Sequence, residues 1–293
     1  MVGAGLYLFG GVVSNCVFRN GSISGYGAHS MLEVDGADAL LTHCWITNNT
    51  ASCQGVEAAT SVRIDGGAKV VNCFIVDNKE QTTGSDLSSG VWVKNGTLEN
   101  CTVVNNQGQR TGGVRATAGR VVNCVIAGNT SRKRGAGNHD VEPGSDDLFD
   151  HCAVAEVKLG GANVNYHDSM ANMFVDAARG DFLPAGGSCL VDKGAALSVY
   201  EATDLAGAER ILGTAIDIGC YERPAGGFAA HVLSDVAEGL LPLTVTFTAI
   251  AEGTNGTDDV VFVWDFDCDG EFEVTNRATR VTHVYVGAGR QTV

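Results

Sequence analysis

The chain has 293 residues, 39 of them glycine and only 4 proline, with a formal net charge of −15 from 19 basic and 34 acidic residues. An acidic protein of this kind repels phosphate backbones, so we expect no nucleic-acid partner. The 44% hydrophobic fraction excludes global disorder, and because no run of ~18 apolar residues occurs, we expect no transmembrane segment.

Both ends of the sequence resemble the interior of a structural unit. The opening stretch Met1–Gly11 has neither a basic n-region nor a cleavage site. The last residues, Gly289–Val293, stop within a strand-like alternation. We therefore expect a piece of a longer protein, truncated at both ends, whose missing targeting signals say nothing about location.

A cysteine preceded by asparagine or histidine marks an internal repeat. Its copies are Cys16, Cys44, Cys73, Cys101, Cys124 and Cys152, which by subtraction lie 28, 29, 28, 23 and 28 residues apart. A unit of this size cannot bury an apolar face alone, whereas stacked units share a continuous core. The copy at Cys152 loses the asparagine that follows in the others, so we expect it to be terminal.

A short alternating run precedes five of these cysteines. Alternation with a period of two, bounded by glycine and asparagine, predicts short strands. Stacking the repeats therefore predicts an all-β solenoid in which equivalent side chains lie ~4.8 Å apart and the cysteines form an inward column. The runs are Leu6–Phe9, Leu32–Asp35, Val62–Asp65, Val91–Lys94 and Val114–Thr117.

Asparagine is common near the cysteines, and it suits turns because it tolerates left-handed backbone geometry. Its amide can also form ladders between stacked copies. His43 and His151 replace the asparagine before cysteine, so we expect them to fill the same role.

Residues 3–170 resemble the right-handed parallel β-helix repeats of secreted bacterial proteins. The segments Phe174–Leu183, Ala185–Gly194 and Asp217–Glu222 are similar to the closing segment of choice-of-anchor Q β-helix proteins. The resemblance implies a secreted or cell-surface protein with β-helix coils at 1–172. Residues 173–223 would form a C-terminal cap over the open end of the solenoid, where an uncovered edge invites aggregation.

Composition changes after Glu222, and residues 224–293 contain the alternating runs Leu243–Ala249, Val260–Phe266 and Thr282–Tyr285. These predict a small Ig-like β-sandwich. Trp264–Gly270 and His283–Tyr285 resemble a PKD domain that lacks its last strand. Such domains usually serve as spacers or interaction modules.

The repeat cysteines suit an inward column of small hydrophobic side chains, so reduced thiols are expected there. Cys189 and Cys220 are the best disulfide candidates. We expect no zinc site, because metal-ligand spacing of cysteine and histidine is absent from the sequence.

In the five alternating runs, every second residue points toward the core. The residues between them predict an outward face that mixes aromatic and charged side chains. Tyr7 and Trp92 would lie three coils apart, about 14 Å, and aromatic faces stack on sugar rings while flanking charges bind hydroxyls or uronates. The expected columns are Tyr7, Glu33, Arg63, Trp92, Arg115 and Phe9, Asp35, Asp65, Lys94, Thr117. The glycan-binding candidates are Tyr7, Glu33, Arg63, Trp92, Lys94 and Arg115.

Catalysis is a second interpretation of this face. Asp35 and Asp65 would be about 5 Å apart, a separation that suits retaining glycoside hydrolysis. Arg63, Lys94 or Arg115 could instead abstract a proton beside a uronate carboxylate, as in β-helix lyases. A third interpretation is an ordinary solvated face, with cross-strand ion pairs such as Asp65–Lys94.

Asp265, Asp267 and Asp269, followed by Gly270 and Glu273, match the start of an EF-hand-type calcium loop. Asn276 stands where the bidentate glutamate would be. The alternatives are a Ca²⁺ site and an aspartate-rich hairpin turn.

These patterns favour a non-catalytic scaffold or adhesin-like module that contacts a polysaccharide or cell-surface glycan. The alternative is a polysaccharide lyase or glycoside hydrolase that acts on an extended acidic glycan along the outer face.

Overall fold

A computed structural model describes residues 5–26, 30–54, 61–80, 90–132, 140–142, 146–154, 159–165, 170–195, 202–223, 229–236, 238–252, 260–267 and 271–287. The chain divides into two compact units, Met1–Arg223 and Pro224–Val293. Each unit is described by itself below.

The first unit begins with five successive coils of four short strands each. Coils one and two contain β1 (Leu6–Leu8), β2 (Gly11–Ser14), β3 (Val17–Arg19), β4 (Ser22–Tyr26), β5 (Leu32–Asp35), β6 (Ala39–Thr42), β7 (Trp45–Thr47) and β8 (Thr50–Gln54). Coils three and four contain β9 (Val62–Asp65), β10 (Lys69–Val71), β11 (Phe74–Val76), β12 (Lys79–Glu80), β13 (Val91–Val93), β14 (Thr97–Glu99), β15 (Thr102–Val104) and β16 (Gln107–Gly108). Coil five and the partial coil after it contain β17 (Val114–Ala116), β18 (Arg120–Val122), β19 (Val125–Ala127), β20 (Thr130–Ser131), a 3₁₀ helix (Asp146–Leu148), β21 (Phe149–Asp150), β22 (Ala153–Val154) and β23 (Val164–Asn165).

Equivalent strands of successive coils pair in parallel and form four sheets. The first sheet has the order β1-β5-β9-β13-β17, the second β2-β6-β10-β14-β18-β21, the third β23-β22-β19-β15-β11-β7-β3 and the fourth β20-β16-β12-β8-β4. This confirms the predicted parallel β-solenoid. The fourth strand of each coil was not predicted, because β12, β16 and β20 have only two residues each and so show no alternation.

Left-handed turns explain the residue before each repeat cysteine. Because a short polar side chain tolerates this conformation, asparagine and histidine are favoured where glycine is not used. The residues concerned have φ between 50° and 53° and are Asn15, His43, Asn72, Asn100, Asn123 and His151. The prediction that His43 and His151 replace a turn asparagine is confirmed.

The repeat cysteines form the predicted inward column. The thiols of all six are free, and Cys44, Cys73, Cys101, Cys124 and Cys152 are fully buried. Burial raises the pKa of the last four of these well above the usual range of a thiol. They therefore pack as small neutral hydrophobic groups.

The candidate disulfide between Cys189 and Cys220 is not formed, since neither sulfur takes part in a disulfide. Cys220 is instead buried against the third sheet, where its backbone N–H donates a hydrogen bond to Thr102 Oγ1 at 3.1 Å.

A buried asparagine ladder forms a second column inside the solenoid. The side-chain amide of Asn49 donates to Asn78 at 2.9 Å, that of Asn78 to Asn106 at 2.9 Å, and that of Asn106 to Asn129 at 3.0 Å. The ladder ends on Asp140, which accepts from Asn129 at 2.9 Å. The side-chain oxygen of every later ladder residue also accepts the backbone N–H of the residue before it, and that of Asn49 accepts the N–H of Gly21. The buried amides are thus satisfied from coil to coil.

The outward face of the third sheet is covered by the chain itself, through the flanking segment 170–223. It begins with α1 (Met170–Met173), β24 (Phe174–Asp176), a 3₁₀ helix (Ala177–Arg179) and β25 (Asp181–Pro184). The apolar contact joins Phe74, Val76, Val104, Val125, Ala127 and Ala153 of the sheet to Met173, Phe174, Phe182, Leu190, Ile218 and Cys220 of the segment.

Hydrogen bonds locate the flanking segment along the side of coils two to five. Asn72 Nδ2 donates to the carbonyl of Thr203 at 3.0 Å, and His43 Nε2 lies 3.1 Å from the same oxygen. Asn123 exchanges two hydrogen bonds with the backbone of Ala195. We expected residues 173–223 to cover the open end of the solenoid, but these contacts place their described part along the side, because the third sheet is apolar on both faces.

Charged side chains are buried within the flanking segment. Arg210 Nη2 donates to the carbonyls of Asp217 and Gly219. The Glu222 carboxyl is fully buried, accepts the Asp217 N–H at 3.1 Å and lies 3.8 Å from Arg210 Nη1. Burial, reinforced by the charge of Asp217, raises the pKa of Glu222 to about 8.

The second unit contains two small antiparallel sheets. Their strands are β26 (Ala229–Ser234), β27 (Leu243–Glu252), β28 (Phe262–Trp264), β29 (Val274–Asn276) and β30 (Arg280–Tyr285), with the orders β26-β27-β30 and β28-β29. The core consists of Val245, Phe247, Ala249, Trp264 and Phe266. The three predicted runs supply β27, β28 and β30, and the PKD assignment stays a prediction.

We predict that Asn78→Ala lowers the free energy of unfolding by roughly 2–4 kcal/mol, because it leaves buried ladder groups without partners. Lys79→Ala, at the exposed next residue, should change stability by less than about 0.5 kcal/mol. Urea denaturation of both variants measures the difference, and equal effects would contradict a stabilising ladder.

We predict that Glu222→Gln removes part of the pH dependence of stability. The folded carboxyl stays protonated up to a pKa of about 8, whereas the unfolded one ionises near 4.5. Wild-type stability should therefore fall as the pH rises between these values, by about 1.4 kcal/mol per unit at most. The variant should match wild type near pH 4 and exceed it by a few kcal/mol above pH 8.

Urea denaturation at both pH values tests this prediction. Glu209→Gln, the same substitution at an exposed residue of the flanking segment, serves as the control and should keep the wild-type slope. A Glu222→Gln slope identical to that of wild type would show that this carboxyl does not titrate as described.

Candidate functional site

The outward face of the first sheet brings the predicted columns together. Cα pairing aligns Tyr7 with Glu33, Glu33 with Arg63, Arg63 with Trp92, and Trp92 with Arg115. Asp35 pairs with Asp65 in the neighbouring column. The predicted placement of these residues is therefore confirmed, while their roles in binding or catalysis stay predictions.

Ion pairs link neighbouring strands within each column, and one pair inside a single strand joins the two columns. Arg63 pairs with Glu33, and its second amino group lies 2.8 Å from Asp65 Oδ2. Lys94 Nζ is 3.3 Å from the same oxygen. Asp65 therefore faces two cations, as the solvated-face interpretation anticipated for Asp65–Lys94.

Trp92 does not offer the exposed platform that the sequence suggested. Its side chain is covered by the cations of the neighbouring strands, and only 6% of the residue is exposed. The guanidinium carbons of Arg63 and Arg115 lie 5.5 and 5.0 Å from its ring centroid, and its Nε1 donates to Thr117 Oγ1 at 3.3 Å. Cation–π contact with long neighbouring side chains accounts for the difference.

Tyr7 and Phe9 are the exposed aromatic residues of this face. Their rings stack with centroids 6.5 Å apart and an interplanar angle of 11°. Tyr7 is 55% and Phe9 69% exposed. Tyr7 Oη also donates a hydrogen bond to Asp35 Oδ2 at 3.2 Å, so the tyrosine is linked to a carboxylate of the neighbouring column.

The electrostatics of Asp65 suit a fixed anion. Partial burial acts to raise the pKa of this carboxyl, but the Gly66 N–H together with Lys94 and Arg63 lowers it below the usual range. A general acid in glycoside hydrolysis requires a raised pKa. Asp65 therefore has the wrong shift for that role, and Arg63 is held in ion pairs with Glu33 and Asp65.

Glu142 belongs to the same face and was missed in the sequence. Its carboxylate lies 2.8 Å from Arg115 and 3.5 Å from Arg110. It follows Val141, which pairs in parallel with Val114 and so adds an isolated rung to the first sheet. A single bridge residue cannot show alternation. The sequence signal for Glu142 was therefore limited to its position after the apolar Val141.

A carboxylate cluster lies in the second unit. One oxygen each from Asp265, Asp267 and Glu273 lies within 4.8 Å of the others. Glu273 Oε2 also accepts the Phe266 N–H at 2.9 Å, which links β28 to the residue preceding β29. The cluster joins three of the four predicted calcium ligands, and Asp269 lies outside the described residues.

Carboxylate oxygens at this spacing can share a hard cation such as Ca²⁺, which takes oxygen ligands at 2.3–2.6 Å. Three ligands are fewer than the six to eight that Ca²⁺ prefers, so backbone carbonyls or water would have to complete the shell.

Within the described ranges, no helix combines the length and the apolar character needed to cross a membrane. No curated protein and no solved structure matches this chain. The family model described as right-handed beta helix region matches residues 1–171, more than half of the 293 residues. Together with the parallel coils, this match shows that the chain belongs to the right-handed β-helix family.

Proposed function

We propose that this chain is a non-catalytic scaffold or adhesin-like module that contacts polysaccharide through the outward face of its first sheet. The observation that carries the proposal is the exposed Tyr7–Phe9 stack beside an ordered row of charged side chains. The parent would be a secreted or surface-attached bacterial protein of the choice-of-anchor Q type. The second unit would serve as its PKD-type spacer.

The chemistry of this face suits a sugar chain. Stacked aromatic rings offer an apolar surface to the C–H face of a pyranose. The charged side chains supply donors and acceptors for hydroxyl groups, and Lys94 is the more exposed of the cations around Asp65. Because the sheet fixes the strand spacing at ~4.8 Å, these groups stand at regular intervals along an extended ligand.

The same ion pairs favour binding over catalysis. Asp65 is held as an anion by Arg63 and Lys94, and Glu33 is paired with Arg63. A lyase or hydrolase would instead need a base or acid free to exchange a proton with the substrate.

We predict that Tyr7→Ala weakens glycan binding about two- to tenfold, the equivalent of roughly 0.5–1.5 kcal/mol for a lost aromatic contact. Phe9→Ala should act in the same direction. Affinity electrophoresis in gels that contain a neutral polysaccharide or a polyuronate measures the change. Val12→Ala is the matched control, since Val12 is an exposed residue of the same coil but belongs to the second sheet.

Two outcomes would overturn the proposal. One is glycan binding that survives both aromatic substitutions, because the contact would then lie elsewhere. The other is release of oligosaccharide products that stops on Asp65→Ala or Arg63→Ala, because this would establish the enzymatic alternative.

We also propose that Asp265, Asp267 and Glu273 bind Ca²⁺ in the second unit, with Asp269 as a further candidate ligand. The supporting observation is the approach of three carboxylates within 4.8 Å. An ion that binds only the folded unit stabilises it by mass action, so Ca²⁺ binding should raise the stability of the second unit.

We predict that millimolar Ca²⁺ raises the Tm of the second unit by a few degrees and that Asp267→Asn abolishes the shift. Glu271→Gln, an exposed carboxylate near the cluster, should keep it. Differential scanning calorimetry with and without chelator measures both variants. A Ca²⁺ response unchanged by Asp267→Asn would place the ion elsewhere.

A further inference from the structure

The flanking segment packs on the solenoid without sharing its inner core. Among the described residues, the inner core extends from Leu8 to Leu159 and includes no side chain of the segment. The segment contributes instead to a separate apolar cluster on the outward face of the third sheet. Because the coils have their own core and their own strand pairing, the segment can leave this face while the coils stay folded.

Buried carboxyl groups hold the described part of the segment together after β25, where it contains one isolated bridge but no strand or helix. Asp217 accepts the backbone N–H groups of Asp192 and Arg223 at 2.7 and 2.8 Å. Asp204 accepts the N–H of Glu222 at 2.8 Å, and Glu222 accepts that of Asp217 at 3.1 Å. These carboxyl groups therefore connect stretches of the segment in place of strand pairing.

Glu222 lies among two other carboxyl groups and one cation within the segment. Asp217 and Asp204 are its hydrogen-bonding neighbours, and Arg210 Nη1 is 3.8 Å from its Oε2. Burial and the charge of Asp217 together raise the pKa of Glu222 to about 8. The folded segment thus favours the neutral form of this carboxyl.

The coils add one more buried carboxyl to these surroundings. Glu99 of β14 is only 4% exposed. Burial raises the pKa of this carboxyl, whereas Arg120, Lys69 and Arg210 act to lower it. Arg210 therefore acts on Glu222 of the segment and on Glu99 of the coils, so one guanidinium has to offset charge on both sides of the contact.

Three backbone N–H groups of the segment donate directly to coils four and five. Asn123 accepts two of them, from Ala195 at 2.7 Å and from Gly219 at 2.8 Å. The third hydrogen bond runs from Cys220 to Thr102 Oγ1 at 3.1 Å. The Cys220 thiol is fully buried in the apolar cluster between the segment and the third sheet. These groups therefore report whether the segment is docked.

We propose that the flanking segment is a proton-controlled cover, which stays docked while Glu222 is protonated and lifts from the third sheet when this buried carboxyl ionises. Ionisation releases the proton to solvent and adds a charge beside Asp217 and Asp204, with Arg210 as the nearby cation. In the lifted state water solvates the carboxylate, and the apolar outward face of the third sheet becomes accessible.

Amide hydrogen exchange of the full chain at pH 6 and pH 8, corrected for intrinsic exchange rates, tests this proposal. The docking amides of Gly219 and Cys220 should lose protection by up to about tenfold per pH unit, because the docked carboxyl titrates near 8 and a solvated one near 4.5. Amides of β9 and β13 in the first sheet should change far less. Glu222→Gln should remove most of the change at the docking amides, whereas Glu209→Gln should retain it.

A second measurement uses the wild-type chain and so does not depend on the folding of a variant. At pH 8.5, alkylation read by mass spectrometry should modify Cys220 before Cys101, which lies inside the solenoid. Three results would each overturn the proposal. They are equal loss of protection in the docking amides and in β9, an unchanged pH response in Glu222→Gln, and alkylation of Cys220 that is no faster than that of Cys101.

Discussion

Parallel pairing in strict register is the constraint on which the first unit depends. Because backbone hydrogen bonds place each coil directly over the last, every side chain has its equivalents as nearest neighbours, ~4.8 Å away. A residue type is therefore tolerated only if it can pack against copies of itself or against a partner in the next coil. Cysteine meets this condition as a small neutral group, and asparagine meets it because one amide is both donor and acceptor.

The outward columns meet the same condition with alternating partners. Arg63 stands between Glu33 and Trp92, so it has an anion on one side and an aromatic face on the other. Trp92 in turn separates Arg63 from Arg115, which would repel each other on adjacent strands. Asp35 and Asp65 do stand side by side, but Tyr7 donates to one while Arg63 and Lys94 neutralise the other. Each of these charged side chains therefore has an opposite charge, a hydrogen-bond donor or an aromatic ring as its neighbour.

The strand register and the left-handed turns were predictable from the sequence. Which side chains cover one another was not. Period-two alternation determines which residues share a column, and asparagine before cysteine marks a left-handed turn. Alternation says nothing about rotamers, however, so the cover that Arg63 and Arg115 place over Trp92 could not be foreseen. The flanking segment did leave a signal, since Phe74–Val76 is apolar without interruption, as expected of a strand buried on both faces.

Outward residues that are not satisfied by their neighbours indicate the functional surface more closely than the fold does. A β-helix needs its inward columns for stability, while its outward residues need only be compatible with their neighbours. Arg63, Asp65 and Trp92 satisfy one another, so their arrangement is explained by the sheet itself. The ion pairs of this face do not cover Tyr7 and Phe9, which are 55% and 69% exposed, and water solvates aromatic rings poorly. This is why the aromatic pair, and not the more numerous charges, carries the argument for a ligand on this face.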